Sequence, residues 1–262
     1  MSAHVFYSSL QQREIFHLEF LRWFGRKIQV KYFAVKGGAN LRFFFGSCRY
    51  SEDLDLDISK IPVGHLKSTV MKIFQNPSYQ AGFRAYGIER IVLPDISKAK
   101  QTEVTQRFKI HLITSAQEDL LSKIEFSRRG FKGNAEPQFI SEKILREYKM
   151  PPLLVPHYDL HSTIAQKIEA LATRSEVQAR DIFDLHMLST QYKVGLGKIK
   201  ILEAKLAKAH ERLFEVGFQQ FKDTVLAYLL PEDQQNYDSI ALWDDIKLRV
   251  AQFFEEIRKE NV

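Results

Sequence analysis

The chain has 262 residues, a hydrophobic content of 45% and a formal net charge of +6, which allows one large core or two modest ones. A single cysteine, Cys48, excludes an internal disulfide. There is no signal-like leader and no apolar run of about 18 residues, so we expect a cytosolic protein without a membrane-spanning segment. The first 50 residues carry eight Lys and Arg against two Asp and Glu, a basic excess that suits a polyanionic partner.

The first elements follow from hydrophobic periodicity. Ser9 and Gln12 form a candidate capping box, and apolar side chains keep helical spacing up to Gly25, which predicts a first amphipathic helix. Residues 28–35 predict a strand because they are rich in apolar and aromatic side chains. Residues 39–45 predict a short helix, which begins directly after a glycine pair.

That glycine pair, Gly37 and Gly38, is a candidate anion-binding turn, because glycine permits a sharp turn and leaves the backbone N–H groups bare. Downstream, Asp53, Asp55 and Asp57 alternate with aliphatic residues, which places three carboxylates on one face of a strand. Like charges about 7 Å apart repel unless they are neutralised, and hard oxygen ligands suit Mg²⁺ or Mn²⁺. Taken separately, the glycines are also compatible with an ordinary turn and the acidic run with a solvated edge strand.

In this order, the features resemble the first motif of the polymerase-β-like nucleotidyltransferase fold. The segment GGANLRFFFG, followed by RYSEDLDLDI, is similar to the AbiEii/AbiGii family of abortive-infection toxins. The resemblance implies six site residues: Asp53 and Asp55 as catalytic metal ligands, and Gly37, Gly38, Arg49 and Ser51 in nucleotide binding. Two features depart from the family pattern. Fourteen residues separate Gly38 from Asp53, which is a long gap, and the pair is Gly-Gly where some members have Gly-Ser. A third aspartate, Asp57, leaves open which two bind metal, although Asp53 and Asp55 align best.

The next elements are predicted from periodicity and from branched or aromatic residues: a helix over residues 63–75 and strands over residues 88–93, 107–113 and 121–129. The last strand places Glu125 on the same face as Lys123. Polymerase-β-like transferases commonly complete their metal site from a neighbouring strand, so the resemblance makes Glu125 a candidate third metal ligand. Glu125 is equally compatible with a surface glutamate paired with Lys123 or Arg128.

Residues 130–156 contain four prolines and two glycines, which predicts a connection with at most one short helix, over residues 141–149. We place a domain boundary at its end, with a nucleotidyltransferase domain over residues 1–156 and a helical domain over residues 157–262. A helix is predicted over residues 159–174. Ser175 and Gln178 form a second candidate capping box, which would begin the helix that contains ARDIFDL.

Lys167 and the segment ARDIFDL are the second place where the chain resembles the AbiEii toxins. The resemblance makes Lys167 and Asp181 catalytic, with Lys167 also contacting the nucleotide, and leaves the role of Asp184 open. A lysine can neutralise triphosphate charge, and an aspartate can orient or deprotonate an attacking hydroxyl. The residues are also compatible with ordinary pairing between helix neighbours.

Together these features predict an α+β enzyme with an N-terminal polymerase-β-like domain, a mixed sheet with flanking helices, and a C-terminal helical domain that completes the active-site cleft. By resemblance, the enzyme transfers NMP from an NTP to an acceptor hydroxyl with Mg²⁺ or Mn²⁺. The acceptor would be RNA such as tRNA, and the setting a type IV toxin–antitoxin or phage-defence system with a cognate antitoxin. The alternatives are a small-molecule acceptor, as in aminoglycoside nucleotidyltransferases, and a nucleotide-binding module without turnover.

Overall fold

The computed structural model describes residues 7–97, 99–193, 195 and 197–261. They form two compact units: the first contains the chain up to Asn40 with Tyr50–Phe131 and Ala135–His157, and the second contains Leu41–Arg49, Lys132–Asn134 and the chain from Tyr158 onward. The domain boundary between residues 156 and 157 stays a prediction. The two short segments that the second unit takes from the first 156 residues carry no signal in the sequence.

The elements of the first unit, with the helix that continues into the second, are α1 Ser9–Gly25, β1 Phe33–Lys36, α2 Gly37–Phe44, β2 Asp53–Ile58, α3 Val63–Phe74, α4 Pro77–Gly82, β3 Ile88–Val92, β4 Thr105–Thr114, β5 Asp119–Ser127, β6 Ala135–Phe139, α5 Glu142–Glu147 and β7 Leu154–Tyr158. The strands form one seven-stranded sheet in the order β3-β4-β5-β2-β1-β7-β6. Its central strand β2 is antiparallel to β1 and parallel to β5. The α+β class, with a mixed sheet and flanking helices, is therefore confirmed.

The core of the first unit lies between α1 and one face of this sheet. Leu54 and Leu56 of β2 are fully buried, as the alternation predicted. Phe24 of α1 lies 5.4 Å, between ring centroids, from Phe126 of β5, and Phe20 lies 6.4 Å from the same ring. Burying a side chain of this size contributes about 1.5–3 kcal/mol. The hydrophobic face of the acidic strand is thus fixed against α1, and its carboxylates point to the opposite face.

The helices of the second unit are α6 Leu160–Thr173, α7 Ala179–Ser189, α8 Glu203–Arg212, α9 Phe218–Thr224, α10 Pro231–Tyr237 and α11 Ile240–Asn261. α6 packs against both α7 and α8, and α11 packs against α7. Trp243 of α11 stacks on Phe221 of α9 with 4.4 Å between ring centroids. The predicted helical character of the C-terminal part is confirmed for the residues that the structure describes.

Two predictions near the glycine pair differ from the structure. The strand predicted over residues 28–35 is β1, which begins only at Phe33, after a 3₁₀ turn at Val30–Tyr32. The reason is the length of β2, whose last residue Ile58 pairs with Phe33. The short helix begins at Gly37 instead of residue 39, so both glycines form its first turn.

Both predicted capping boxes were wrong. The first is one residue earlier, because Ser8 caps α1 together with Gln11, while Gln12 donates to the backbone carbonyls of Tyr86 and Gly87. The second does not form, because α7 begins at Ala179 after Gln178, whose side chain makes no cap.

The short helix predicted within residues 130–156 is present as α5, but the interpretation of the rest of the segment as a connection without strands was wrong. The segment contains β6, α5 and most of β7. Pro137 is tolerated because β6 is an edge strand of the sheet. Pro156 lies in β7, whose register with β1 is the single pair Val35 and His157. Prolines at such positions break few ladder hydrogen bonds, so they do not exclude a strand.

Candidate active site

The sheet face opposite α1 brings together the three carboxylates expected to bind metal. Asp53 and Asp55 lie at alternate positions of β2, and Asp55 is in register with Glu125 of the parallel strand β5. Side chains in register on neighbouring strands point to the same face, so Glu125 lies beside Asp55.

Three of the four carboxylates on this face are held by basic side chains from the same sheet: Lys123 Nζ lies 2.5 Å from Asp53 Oδ2, Lys36 Nζ 2.6 Å from Asp57 Oδ1, and Arg107 Nη2 2.6 Å from Glu125 Oε2. Within the part of the chain that the structure describes, Asp55 has no ion pair or hydrogen bond. Among the described residues, Asp55 is therefore the one carboxylate on this face that does not form an ion pair with a basic side chain.

The electrostatics of Asp55 agree with this geometry. Burial raises the pKa of the Asp55 carboxyl above its ordinary value, the Lys36 ammonium opposes that shift, and the charges of Asp53 and Glu125 raise the pKa further. A carboxylate whose charged form is disfavoured by burial and by like charges is stabilised when a cation binds to it. Such a perturbed carboxyl group on an open sheet face is a candidate ligand for a divalent ion.

Gly37 connects this face to α2. Its φ is +67°, a left-handed conformation that favours glycine. A Cβ at this position would lie 3.0 Å from Asp55 Oδ2. Glycine is thus required both by the backbone and by the close approach of Asp55, and Gly38 follows it in the first turn of the helix.

Gly37→Ala is expected to lower the free energy of unfolding by about 1–2 kcal/mol, the cost of a left-handed alanine, and also to reduce nucleotidyl transfer by displacing Asp55. Gly46→Ala is the matched control, because Gly46 has φ +64° and open space around its Cβ position. Urea unfolding and a transfer assay measure the two effects. Equal transfer activity in both variants would contradict a role for the contact with Asp55.

The two expected nucleotide-binding residues between the glycines and the aspartates contact the protein itself. The Ser51 hydroxyl donates to the backbone carbonyl of Asp53 over 2.8 Å, which stabilises the start of β2. The buried Arg49 guanidinium donates to both carboxylate oxygens of Asp184, with Nη2 3.0 Å from each. Nucleotide binding by Ser51 and Arg49 stays a prediction.

The second unit holds a buried charge cluster between α6 and α7. Lys167 Nζ lies 2.9 Å from Asp181 Oδ1 and 2.6 Å from Asp184 Oδ2, and both aspartates are fully buried. They are three residues apart on α7 and therefore share one helix face. The structure brings together Lys167, Asp181 and Asp184.

The cluster is held in its charged form. Burial lowers the pKa of Lys167, but the attraction of Asp181 and Asp184 outweighs it, so the net pKa is raised. Burial raises the pKa of Asp184, but Arg49 and Lys167 outweigh it, so the net pKa is lowered. The lysine is therefore a cation and Asp184 a carboxylate at neutral pH.

One oxygen of this cluster remains available as an acceptor. Arg174 Nε lies 3.0 Å from Asp181 Oδ2, but the contact lacks hydrogen-bond geometry, and this buried oxygen has no hydrogen-bond partner among the described residues. A buried carboxylate oxygen without a donor is costly. Asp181 Oδ2 is thus a candidate acceptor for a ligand hydroxyl.

The residues on the sheet face fit a hard divalent cation by their chemistry. Among the residues that the structure describes, no group of three or more His, Cys, Asp and Glu side chains is already arranged as a metal site. Asp53, Asp55 and Glu125 nevertheless offer carboxylate oxygens on one face. The charges of Asp53 and Glu125 disfavour the charged form of Asp55, which a bound cation would stabilise. Ligation by Asp53 and Glu125 requires their ion pairs with basic side chains to open.

Sequence reasoning did not identify the basic partners of the acidic face as site residues. The signal was present for Lys123, because the period of two that places Asp53 and Asp55 on one face also places Lys123 beside Glu125. No local signal indicates that His157 of β7 contacts Asn40 of α2, with Nδ1 and Oδ1 2.9 Å apart.

The fold is similar to that of a solved nucleotidyltransferase. The structure is similar to MenT4, a nucleotidyltransferase toxin from Mycobacterium tuberculosis, with a TM-score of 0.60 and 14% identity over 96% of this chain and 87% of that one. It is also similar to JHP933 from Helicobacter pylori, with a TM-score of 0.55 and 20% identity over 98% of this chain and 95% of that one. At these identities the likeness concerns the fold.

Residues 20–259 match the family described as nucleotidyl transferase AbiEii toxin of type IV toxin–antitoxin systems. The chain belongs to this family, which confirms the resemblance of its two motifs and the assignment as a nucleotidyltransferase. No curated protein matches the chain. In the described part of the chain, no helix combines the length and the apolar character needed to cross a membrane.

Proposed function

We propose that the protein transfers NMP from an NTP to an acceptor hydroxyl at the sheet face of Asp53, Asp55 and Glu125. The observation that carries the proposal is Asp55, a carboxylate beside two others that has no cation of its own among the described residues. In this reaction the acceptor oxygen bonds to the α-phosphorus, and the bond from that phosphorus to the bridging oxygen breaks. Pyrophosphate leaves with the electron pair.

Asp53, Asp55 and Glu125 would hold Mg²⁺ or Mn²⁺, which stabilises charge on the attacking and departing oxygens when bound. The aspartates supply oxygen ligands from one rigid strand, whose register with β5 fixes Glu125 beside them. Gly37 has no Cβ and therefore allows the α2 backbone to lie close to Asp55. Support for this assignment comes from the donor chemistry, and for Gly37, Asp53 and Asp55 also from the resemblance of their segment to the AbiEii family, to which the chain belongs.

We further propose that Lys167 and Asp181 take part in the same reaction. Lys167 stays cationic because of its two carboxylates, so it provides positive charge for the nucleotide phosphates. Asp181 Oδ2 has no hydrogen-bond donor, so it suits a general base that accepts the proton of the acceptor hydroxyl.

The acceptor that we propose is RNA, with tRNA as the leading candidate, in a cytoplasmic toxin that a cognate antitoxin restrains and that can act in phage defence. The matched family contains toxins of type IV toxin–antitoxin systems. The basic excess of the first 50 residues favours a polyanionic acceptor.

Incubation with each α-labelled NTP and total RNA is expected to place label in RNA, with tRNA-sized species as the main product. A chelator should abolish the transfer, because the reaction needs a divalent cation. The parallel reaction with an aminoglycoside panel tests the small-molecule alternative. Label in an aminoglycoside and not in RNA would contradict the RNA proposal, and NTP binding without any product would indicate a binding module.

A further inference from the structure

We infer that Lys123 competes with the metal for Asp53 and passes to the phosphates of the NTP when the metal binds. This inference rests on the proposed function, since it concerns the same carboxylates. Its consequence is that Lys123 couples metal binding to nucleotide binding, so that the metal binds weakly alone and tightly together with an NTP.

The contact between Lys123 and Asp53 is direct and exchangeable. The two residues are in register on β5 and β2, with Nζ 2.5 Å from Oδ2. Their side chains are 27% and 30% exposed, so an ion and a ligand can reach both. The Lys36 pair differs, because its carboxylate partner Asp57 is only 5% exposed and is therefore less accessible to a metal.

A divalent cation that binds Asp53 Oδ2 takes the place of the Lys123 ammonium, which lies 2.5 Å from that oxygen, because two cations at one oxygen repel strongly. The displaced ammonium needs another anion. Glu125 is already paired with Arg107, and the residue in register on β4 is another cation, Lys109.

The anion that arrives with the metal is the triphosphate. The flexible side chain of Lys123 can move and place its ammonium charge beside a phosphate of the triphosphate. If the displaced ammonium pairs with a phosphate, metal and nucleotide must raise each other's affinity by the same factor. Removing Lys123 should therefore strengthen the binding of metal alone and reduce this coupling.

The test is a calorimetric titration of Mn²⁺ into the full chain, alone and with the α,β-imido analogues of ATP, GTP, CTP and UTP in parallel. In the wild type we expect weak binding of Mn²⁺ alone and much tighter binding with an analogue. Lys123→Gln should tighten the binding of Mn²⁺ alone by about fivefold, on the scale of one partly exposed ion pair. It should also reduce the coupling by about tenfold, and Lys123→Arg should restore part of that coupling.

Lys109→Gln is the matched control, because it removes the same charge from the neighbouring strand on the same face. It should leave both titrations close to those of the wild type. If Lys123→Gln matches Lys109→Gln in either titration, the inference is overturned while the metal site stands. If the wild type binds no Mn²⁺ even with an analogue, the proposed function itself fails. Asp55→Asn should bind no Mn²⁺ and shows what a titration without binding looks like.

Discussion

Asp53→Asn and Asp55→Asn are each expected to reduce nucleotidyl transfer by about 10²- to 10³-fold, the scale of removing one well-placed electrostatic group. Each substitution keeps the size of the side chain and removes a carboxylate charge that would bind metal. Transfer of labelled NMP to RNA measures the loss, and circular dichroism checks the fold. Near-normal turnover in both variants would contradict the assignment of this sheet face as the catalytic centre.

The two variants should differ in stability without metal. The pKa of Asp55 is raised in the folded chain by burial and by its acidic neighbours, so its ionisation opposes folding above the unfolded pKa of about 3.9. Asp55→Asn should therefore raise the melting temperature at pH 7, and this gain should vanish as the pH falls below about 4. Asp53→Asn should show no such gain in melting temperature, because this substitution removes the ion pair between Asp53 and Lys123.

The sheet and the acidic face were predictable because their signals are local and periodic. The alternation of Asp53 to Ile58 fixes which side chains face the core, and the structure confirms the burial of Leu54 and Leu56. The family resemblance, and not periodicity, grouped Lys167 with Asp181, which it contacts. The spacing of Asp181 and Asp184 likewise places both on one face of α7. Such patterns depend only on backbone geometry.

The features that could not be predicted from the sequence depend on contacts between residues far apart in the chain. β6 and β7 contain prolines that are tolerated only because of their place in the sheet. The pairing of Arg49 with Asp184 joins residues 135 positions apart, and no local pattern indicates it. The motif made Arg49 a nucleotide ligand, whereas its contacts give it a partner inside the second unit.

Arg49→Met is expected to lower the free energy of unfolding by about 3–5 kcal/mol, the cost of breaking a buried charge pair. Arg49 and Asp184 are 5% and 0% exposed, and without Arg49 the Asp184 carboxylate keeps Lys167, which it shares with Asp181. The control is Arg146→Met, whose pair with Glu142 is 81% and 77% exposed and should contribute less than about 0.5 kcal/mol. Urea unfolding measures both variants.

The pH dependence of this loss follows from the directions of the pKa shifts. The lowered pKa of Asp184 contributes stability above the unfolded value of about 3.9, and that stability disappears as the pH falls through the folded pKa. The raised pKa of Lys167 contributes stability below about 10.4 and loses it as the pH rises further. The cost of Arg49→Met should therefore be constant between about pH 5 and 9. If Arg49→Met unfolds like the wild type and loses only affinity for NTP, Arg49 is a nucleotide ligand as the motif suggested, and its contact with Asp184 contributes nothing to the fold.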